Sequence, residues 1–230
     1  MWEKSLVQRI DSYLSFLSLH PHLADNSQGQ LEIVTDRELL LEWQQRLYER
    51  ADKNNKPRCY YDIGIVAEDD FVVVLRDLVR FGEDRYGGYI RMLNRNSSVN
   101  KTGKDVVILA RLDGKYVLLR HFRHDSRRWF CECPRGFGEK GLSAEENAVK
   151  EISEETGLGV KKLCLLNDEN EDIAYFLAEC TGKLQVNDTG EGIDNIFLAD
   201  KSSLYEKIAD GSVRDEYTFR AIALADIKGL

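Results

Sequence analysis

The chain has 230 residues and a formal net charge of −8, and 43% of its residues are hydrophobic while 31% are charged. This composition is typical of a soluble globular protein that is long enough for one large domain, or for one domain and a smaller appendage. The acidic balance argues against binding of nucleic acid polymers, because the sequence-independent part of that binding requires basic side chains that neutralise phosphates.

Neither membrane insertion nor secretion is indicated. The sequence contains no run of about eighteen apolar residues, and its first residues include the charged Glu3, Lys4, Arg9 and Asp11. We therefore expect a cytoplasmic protein. The five cysteines are irregularly spaced and no histidines complete a zinc site with them, so they are interpreted as reduced thiols that pack as small apolar groups.

Two amphipathic helices are predicted near the N-terminus. The first ends at residues 20–22, and the second covers residues 36–51 with Thr35 or Asp36 as its N-cap. A polar loop follows over residues 51–58. The inward positions at helical spacing are Leu6, Ile10, Leu14 and Leu17 in the first helix, and Leu39, Trp43 and Leu47 in the second.

Residues 69–81 fit two kinds of element. A run of valines favours a strand, because β-branched residues are enriched there. The alternative is a helix, whose inward positions would be Phe71, Val74, Leu75, Leu78 and Val79. The helix is the preferred interpretation, and residues 1–85 are predicted to form a smaller, mainly helical domain.

The following segments predict a mixed sheet with helices packed on it. Residues 94–105 form a predicted loop near the domain entry, and the apolar runs on either side of Asp113 and Gly114 indicate a β-hairpin. Further strands are predicted at residues 86–93, 160–166, 171–180 and 196–199, and a closing helix through residues 202–211 and 216–227.

One short helix lies between two boundary signals. Ser143 and Glu146 have the spacing of a capping box, and Gly157 provides the C-terminal stop. The apolar stripe that docks this helix on the sheet is predicted to contain Ala148, Ile152 and, slightly off axis, Val149.

Three carboxylates, Glu151, Glu154 and Glu155, lie on one side of this helix at spacings of three and four residues. Like charges at these spacings repel by roughly 0.2–0.5 kcal/mol per pair. A solvated acidic face is the usual explanation of such a run, and a bound cation is the alternative.

The stretch from residue 136 to residue 158 resembles the Nudix box, G-x5-E-x7-R-E-U-x-E-E-x-G-U, in which U is a bulky apolar residue. Seven of its nine defined positions agree in register, and agreement at fixed spacing is specific. The agreeing residues are Gly136, Glu151, Ile152, Glu154, Glu155, Gly157 and Leu158. Two positions depart, because Leu142 stands in place of the first Glu and Lys150 in place of the Arg.

The resemblance is to the ADP-ribose pyrophosphatase-like subgroup of the Nudix hydrolases and covers about residues 106–225. In that subgroup an Arg-bearing strand precedes a Glu-x-Pro-x-Gly turn. Those places are held here by Arg123, Glu132, Pro134 and Gly136. The resemblance implies an α+β fold, in which residues 86–230 form a Nudix α/β/α sandwich with a mixed sheet, preceded by the mainly helical domain of residues 1–85.

The resemblance also implies a metal-dependent hydrolase. Glu151, Glu154 and Glu155 would bind Mg²⁺, with Mn²⁺ as a substitute, and the backbone carbonyl of Arg135 would add one ligand. Such a cation neutralises charge on a pyrophosphate and acidifies water, and Glu154 is assigned to catalysis as well as to the metal. The implied substrate is a nucleoside diphosphate linked to another moiety, with ADP-ribose or a nucleotide sugar favoured.

A base is needed to orient or deprotonate the attacking water. Glu191, in the polar loop of residues 185–195, matches the subgroup's position best, and a metal ligand is its alternative role. Asp188 and Asp194 are neighbours in the same loop. A solvated turn carboxylate is an equally good explanation of Glu191.

Three residues are candidates for substrate binding. Arg123 offers a planar fork to a phosphate, or else forms a surface salt bridge. Trp129 either stacks on a base or packs in the core. Glu132, on a strand opposite two buried cysteines, is expected to face the cleft and to accept hydrogen bonds from a ribose or base.

The two departures from the box leave a second hypothesis open. Lys150 keeps the positive charge of the Arg but not its planar fork, and Leu142 removes a negative charge. The chain is therefore either a Nudix pyrophosphohydrolase, which the intact carboxylates favour, or a Nudix-fold module that binds such a ligand without turnover. The role of the N-terminal residues is also left open, with three alternatives: shielding of the cleft, formation of a homodimer and binding of another protein.

Overall fold

The structure is a computed structural model, and it describes residues 6–29, 31–186, 190 and 192–230. The chain divides into two compact units, Met1–Asn100 and Lys101–Leu230. The boundary predicted from the sequence lies between residues 85 and 86. The first unit extends further because the strand that follows residue 85 pairs with a strand from within that unit.

The first unit packs two helices on a four-stranded antiparallel sheet. Its elements are α1 (Leu6–Leu19), β1 (Glu32–Ile33), α2 (Arg37–Lys53), β2 (Gly64–Glu68), β3 (Val72–Arg80) and β4 (Tyr86–Asn94). Strand β4 pairs along the whole of β3, so β1 and β2 share the other edge of β3. The predicted N-terminal helical segment is present as α1 and α2.

Helix α2 buries a slightly different stripe from the predicted one. Asp36 is the N-cap, and its side chain accepts a hydrogen bond from the Leu39 N–H at 2.8 Å. Leu39 and Trp43 lie partly buried at the edge of the core, because the polar Gln44 occupies the inner face and accepts a hydrogen bond from the Ile63 N–H at 2.7 Å. The buried residues of α2 are Leu40, Gln44, Leu47 and Ala51.

The helix predicted over residues 69–81 is wrong, because this segment contains strand β3. Val73 and Leu75 alternate inward with the period of a strand, whereas Leu78 and Val79 are buried together further along. Together with Val74 and Leu75, these two adjacent apolar residues give the sequence the spacing of a helix. Because β3 pairs with strands on both of its edges, the strand that its β-branched residues favour forms instead of the helix.

A buried carboxylate connects three elements of the first unit. Asp77 on β3 is 1% exposed, and it accepts hydrogen bonds from Oη of Tyr13 at 2.6 Å and from Nε of Arg91 at 2.6 Å. Burial and the neighbouring Asp77 charge raise the pKa of the Tyr13 hydroxyl, which therefore stays protonated as a donor. Buried charges are tolerated when they are paired in this way.

The second unit is an α/β/α sandwich. Its strands are β5 (Asp105–Leu112), β6 (Lys115–Arg123), β7 (Arg128–Glu132), β8 (Arg135–Gly136), β9 (Gly159–Leu165), β10 (Ile173–Thr181) and β11 (Ile193–Ala199), and its helices are α3 (Ala144–Thr156), α4 (Lys201–Ala209) and α5 (Glu216–Ile227). The strand order is β11-β6-β5-β10-β9, and β5 and β10 are parallel while their other neighbours are antiparallel. The α+β class with a mixed sheet is therefore confirmed.

Two apolar cores lie on the two faces of this sheet, because successive residues of a strand point to opposite faces. The core on the α3 side includes Ala148, Ile152, Val106, Ile108 and Val117. The core on the side of α4 and α5 includes Leu204, Ala221, Val107, Leu109 and Leu118. The predicted hairpin joins β5 to β6, and its turn residues Asp113 and Gly114 have φ values of 51° and 79°.

Two details of the second unit differ from prediction. The closing helix is two helices, α4 and α5, and each begins at its own aspartate cap, Asp200 or Asp215. Val149 was assigned to the docking stripe of α3 but is 42% exposed. It lies on the outer flank of the helix, and the stripe is completed instead by Asn147 and Glu155.

Strands β5 and β6 separate beyond their hairpin, and this separation makes room for the segment that carries the site. They pair only at residues 111–112 and 115–116. Further along, β6 pairs with β7 and β5 pairs with β8. The turn between β7 and β8 is bonded to β5 and to α5. The Ile108 N–H donates to the Pro134 carbonyl, and the Cys133 N–H donates to Oγ1 of Thr218.

Every helix among the described residues is too short or too polar to cross a lipid bilayer. The five cysteines are all free thiols, but the expected packing as small apolar groups does not hold for every one of them. Cys133 and Cys180 are buried, whereas Cys59 is exposed. Burial raises the pKa of Cys133 to about 12 and that of Cys180 to about 11.

We expect these thiols to differ strongly in reactivity, because alkylation requires an accessible thiolate. In the native protein at about pH 8, iodoacetamide should modify Cys59 first, while Cys133 and Cys180 should react only after unfolding in urea. Peptide mass spectrometry after a time course of labelling measures the order. Cys59→Ser should remove the fast phase, and fast labelling of Cys133 in the native state would contradict the buried position.

Candidate active site

Helix α3 begins and ends as its sequence signals predict. Oγ of Ser143 accepts a hydrogen bond from the Glu146 N–H at 3.1 Å, and the Glu146 carboxylate accepts one from the Ser143 N–H at 2.8 Å. Gly157 ends the helix in the left-handed conformation with φ at 70°. The reciprocal cap satisfies two backbone donors of the first turn and so stabilises the start of the helix.

Two of the three predicted carboxylates lie against the backbone of strand β8. Glu155 is 2% exposed, and its Oε2 accepts a hydrogen bond from the Arg135 N–H at 3.2 Å. Glu151 lies beside Gly136, where an added Cβ would be 2.7 Å from Cγ of Glu151 and would overlap its carboxylate. A larger residue at position 136 would therefore force the Glu151 side chain to move.

Glu154 is paired with a lysine of the same helix. Its Oε2 accepts a hydrogen bond from Nζ of Lys150 at 2.8 Å, and the same ammonium donates to Oε1 of Glu139 at 2.7 Å. These two hydrogen bonds, the one to Glu139 first, raise the pKa of the Lys150 ammonium. The lysine that replaces the Arg of the box thus still pairs with a carboxylate of the box.

The donors suit a hard cation in their chemistry, since Mg²⁺ prefers oxygen ligands and keeps several waters. Within the described ranges, however, no three His, Cys, Asp or Glu side chains are grouped closely enough to hold a metal ion. The ion pair that holds Glu154 is half exposed, so breaking it costs little and the side chain can turn toward its neighbours.

The glycine-containing loop between β8 and α3 is anchored by polar side chains that sequence reasoning missed. Asp105 accepts a hydrogen bond from the Gly138 N–H at 2.8 Å. Nδ2 of Asn147, a residue that is 1% exposed, donates to the Phe137 carbonyl at 2.9 Å. The only sequence signal for Asn147 is a polar residue on the inward stripe of the helix.

Glu132 is buried rather than facing an open cleft. It is 1% exposed, and Nε of Arg123 donates to its Oε2 at 3.2 Å, while Nδ1 of His121 lies 3.0 Å from its Oε1. Burial alone would raise the pKa of the Glu132 carboxyl, but the hydrogen bonds from His121 and Arg123 and the charges of Arg123 and Arg135 hold that pKa below its ordinary value. Glu132 therefore stays ionised and fixes the direction of Arg123.

Contacts fix both the side chain and the backbone of Arg135. Its guanidinium lies 3.4 Å from the Asp215 carboxylate and 3.6 Å from that of Glu132, and it stacks over the Tyr217 ring at 4.7 Å from the centroid. Its N–H is bonded to Glu155. The backbone carbonyl that was predicted as a ligand is therefore carried by a residue with a fixed position.

Trp129 lies on the other face of the sheet from α3. It shares its strand face with Cys131, which packs against the core on the side of α4 and α5. The Arg120 guanidinium stacks on its ring at 4.3 Å from the centroid, and Phe122 meets it edge-on at 5.3 Å. Trp129 is 42% exposed, but the structure does not bring it near the carboxylates of α3.

The predicted base lies outside the described residues. This applies to Glu191 and also to its neighbour Asp188. Asp194, the third acid of that loop, is paired with Arg120. Of the three loop acids, the structure thus places only Asp194, and it places it in an ion pair on the sheet.

Comparison with known proteins agrees with this architecture. The NUDIX domain family model matches residues 101–216. The ADP-ribose pyrophosphatase of Bacillus subtilis (strain 168) is 34% identical over 93 residues, which are 37% of this chain and 50% of that protein. The chain thus spans about half the length of this curated relative. A crystal structure of an ADP compounds hydrolase aligns with a TM-score of 0.56 at 18% identity, covers 72% of this chain and 91% of its own, and supports the fold alone.

We expect Gly136→Ala to destabilise the second unit slightly, because the new methyl group would displace the Glu151 side chain. Since the overlapping atoms belong to a flexible side chain that can turn away, the loss in the free energy of unfolding should lie at the lower end of the roughly 1–3 kcal/mol typical of overpacking. Urea denaturation followed by tryptophan fluorescence measures the change.

Gly159→Ala is the matched control. Its new Cβ would lie 3.6 Å from Cγ2 of Thr181, which is an ordinary contact. We expect a change within about 0.5 kcal/mol for this variant. Equal losses in the two variants would show that overlap with Glu151 is not the cause.

Proposed function

This chain belongs to the Nudix family, and we propose that it hydrolyses the pyrophosphate bond of a nucleoside diphosphate linked to another moiety, with ADP-ribose or a nucleotide sugar as substrate. The observation that carries the proposal is the position of Glu151 and Glu155 against the backbone of β8, with Glu154 on the same helix flank. The ADP-ribose pyrophosphatase activity of the Bacillus subtilis relative supports the substrate class.

We assign a divalent cation, Mg²⁺ or Mn²⁺, to Glu151, Glu154, Glu155 and the backbone carbonyl of Arg135. When bound, the cation would neutralise pyrophosphate charge and lower the pKa of a water. The protein fixes the positions of two of these carboxylates. The Arg135 N–H holds Glu155 at 3.2 Å, and the absence of a side chain at Gly136 leaves space for Glu151.

Arg123 is assigned to a phosphate of the substrate. Its guanidinium is oriented by the buried Glu132, but it is 26% exposed. Arg135 lies beside the same carboxylate, so two guanidinium groups are close to Glu132. A guanidinium whose direction is fixed in this way can offer its remaining N–H donors to a phosphate.

Glu191 is proposed as the general base from its sequence position alone. Trp129 is left out of the phosphate site because it lies on the opposite face of the sheet. A base-stacking role for its exposed ring stays a separate proposal.

A second candidate function is ligand binding without turnover. It is favoured by the ion pair between Lys150 and Glu154, in which a proposed metal ligand is bound to an ammonium. The two functions predict different results in one experiment.

That experiment incubates the protein with ADP-ribose, ADP-glucose and other nucleoside diphosphate derivatives in the presence of Mg²⁺ or Mn²⁺. We expect water to be added across the pyrophosphate, which yields a nucleoside monophosphate and a phosphorylated second moiety. Glu154→Gln should lower the rate by about 100-fold or more, because it removes a charge that acts in the transition state. Chromatography of the products gives the rate.

Glu145→Gln is the matched control, since Glu145 is an exposed acid in the first turn of the same helix. Its rate should stay close to that of the unchanged protein. Tight binding of a nucleotide derivative without any product would support the binding module, and activity that survives Glu154→Gln would remove the assigned role of this carboxylate.

A further inference from the structure

The loop between β8 and α3 carries an ion pair that the box register does not predict. Glu139 in this loop accepts a hydrogen bond from Lys150 at 2.7 Å, and Lys150 also donates to Glu154 at 2.8 Å. The ammonium therefore stands between one carboxylate of the loop and one carboxylate of the helix.

The backbone next to Glu139 is held in place. The Gly138 N–H is bonded to Asp105 at 2.8 Å, and the Phe137 carbonyl is bonded to the buried Asn147 at 2.9 Å. Because the residues immediately before Glu139 are anchored, its side chain reaches Lys150 from a fixed starting point. Because the backbone is already ordered, forming the pair costs only the rotamer freedom of the two side chains.

The two ion pairs are too exposed to act mainly on stability. The side chains of Lys150, Glu139 and Glu154 are 36%, 45% and 49% exposed, and ion pairs of this kind contribute little to folding. The order Lys150 before Glu154 at a spacing of four is also the weaker order on a helix. The effect of the pairs is therefore on the directions and charges of the side chains.

Leu142, which stands at the acidic position of the box, has no carboxylate to offer Lys150. Glu139, three residues earlier, makes this contact instead. We propose that Glu139 is a positioning residue that shares the ammonium of Lys150 with Glu154, so that Glu154 keeps enough negative charge to bind the cation. This inference rests on the proposed function, because it concerns a carboxylate that we assign to the metal.

Removal of Glu139 would change how Lys150 is shared. Without the loop carboxylate, the ammonium pairs with Glu154 alone and neutralises it more completely. A cation would then have to displace Lys150 from its remaining partner. Binding of the cation therefore becomes weaker even though Glu139 does not contact it.

The test compares Glu139→Gln with Glu145→Gln in the full chain. Glu145 is the matched control, since its variant loses the same charge only six residues further along the chain and Glu145 makes no ion pair with any described residue. Binding of Mn²⁺ to the protein without substrate is measured by electron paramagnetic resonance, and stability is measured by urea denaturation. The values of kcat and KM for ADP-ribose are measured alongside.

We expect the dissociation constant for Mn²⁺ to rise about tenfold in Glu139→Gln, as is typical when a residue that orients a metal ligand is removed. The urea midpoint should not change, and the loss should fall on kcat more than on KM. In Glu145→Gln the dissociation constant should change by less than about twofold, because an exposed charge at a distance is screened.

A further variant tests whether Glu139 acts through Lys150. In a Lys150→Met background, Glu139→Gln should cause no additional change in Mn²⁺ binding, because coupled residues are not additive. Equal Mn²⁺ affinities for Glu139→Gln and Glu145→Gln would overturn the proposal. A tenfold loss that persists without Lys150, or one that a fall in the urea midpoint accounts for, would also overturn it.

The outcomes separate this inference from the proposed function. If the protein binds Mn²⁺ but hydrolyses none of the nucleotides, the proposed activity fails while the binding comparison still decides the role of Glu139. If the unchanged protein binds no Mn²⁺, both proposals fail.

Discussion

The contact between helix α3 and the short strand β8 sets the positions of Glu151 and Glu155. The Arg135 N–H donates to Glu155, and Gly136 lacks the side chain that would collide with Glu151. Ala148 and Ile152 of this helix are fully buried in the apolar core between α3 and the sheet, and this packing holds the helix beside β8. Mutual repulsion along the acidic flank is small beside this burial, so packing decides where the charges lie.

Features whose hydrogen bonds span only a few residues were predictable from the sequence. The capping box of Ser143 and Glu146, the stop at Gly157 and the turn at Asp113 all depend on local backbone geometry. Strand β3 was not predictable in this way, because its identity is decided by pairing with three other strands. Its burial of Leu78 next to Val79 made the local pattern point to the wrong element.

In the candidate site, too, local features were predictable from the sequence and contacts between distant residues were not. The register of the box selected the three glutamates of α3, but it contained no information on the partner of each one. Glu132 was expected in a cleft, and it is buried because Arg123 and His121 come from a neighbouring strand to meet it. Lys150 was recognised as a substitute for Arg, while its contact with Glu139 depends on how the loop folds back onto the helix.

Gly103 and Gly138 belong to two backbone segments that nearly touch. A methyl group on Gly103 would lie 2.5 Å from the Glu139 carbonyl oxygen, and one on Gly138 would lie 2.6 Å from the carbonyl carbon of Gly103. Neither residue could be enlarged without displacing main-chain atoms of one segment or the other. Substitutions that leave this crossing of the backbone intact are therefore confined to the other residues of the loop.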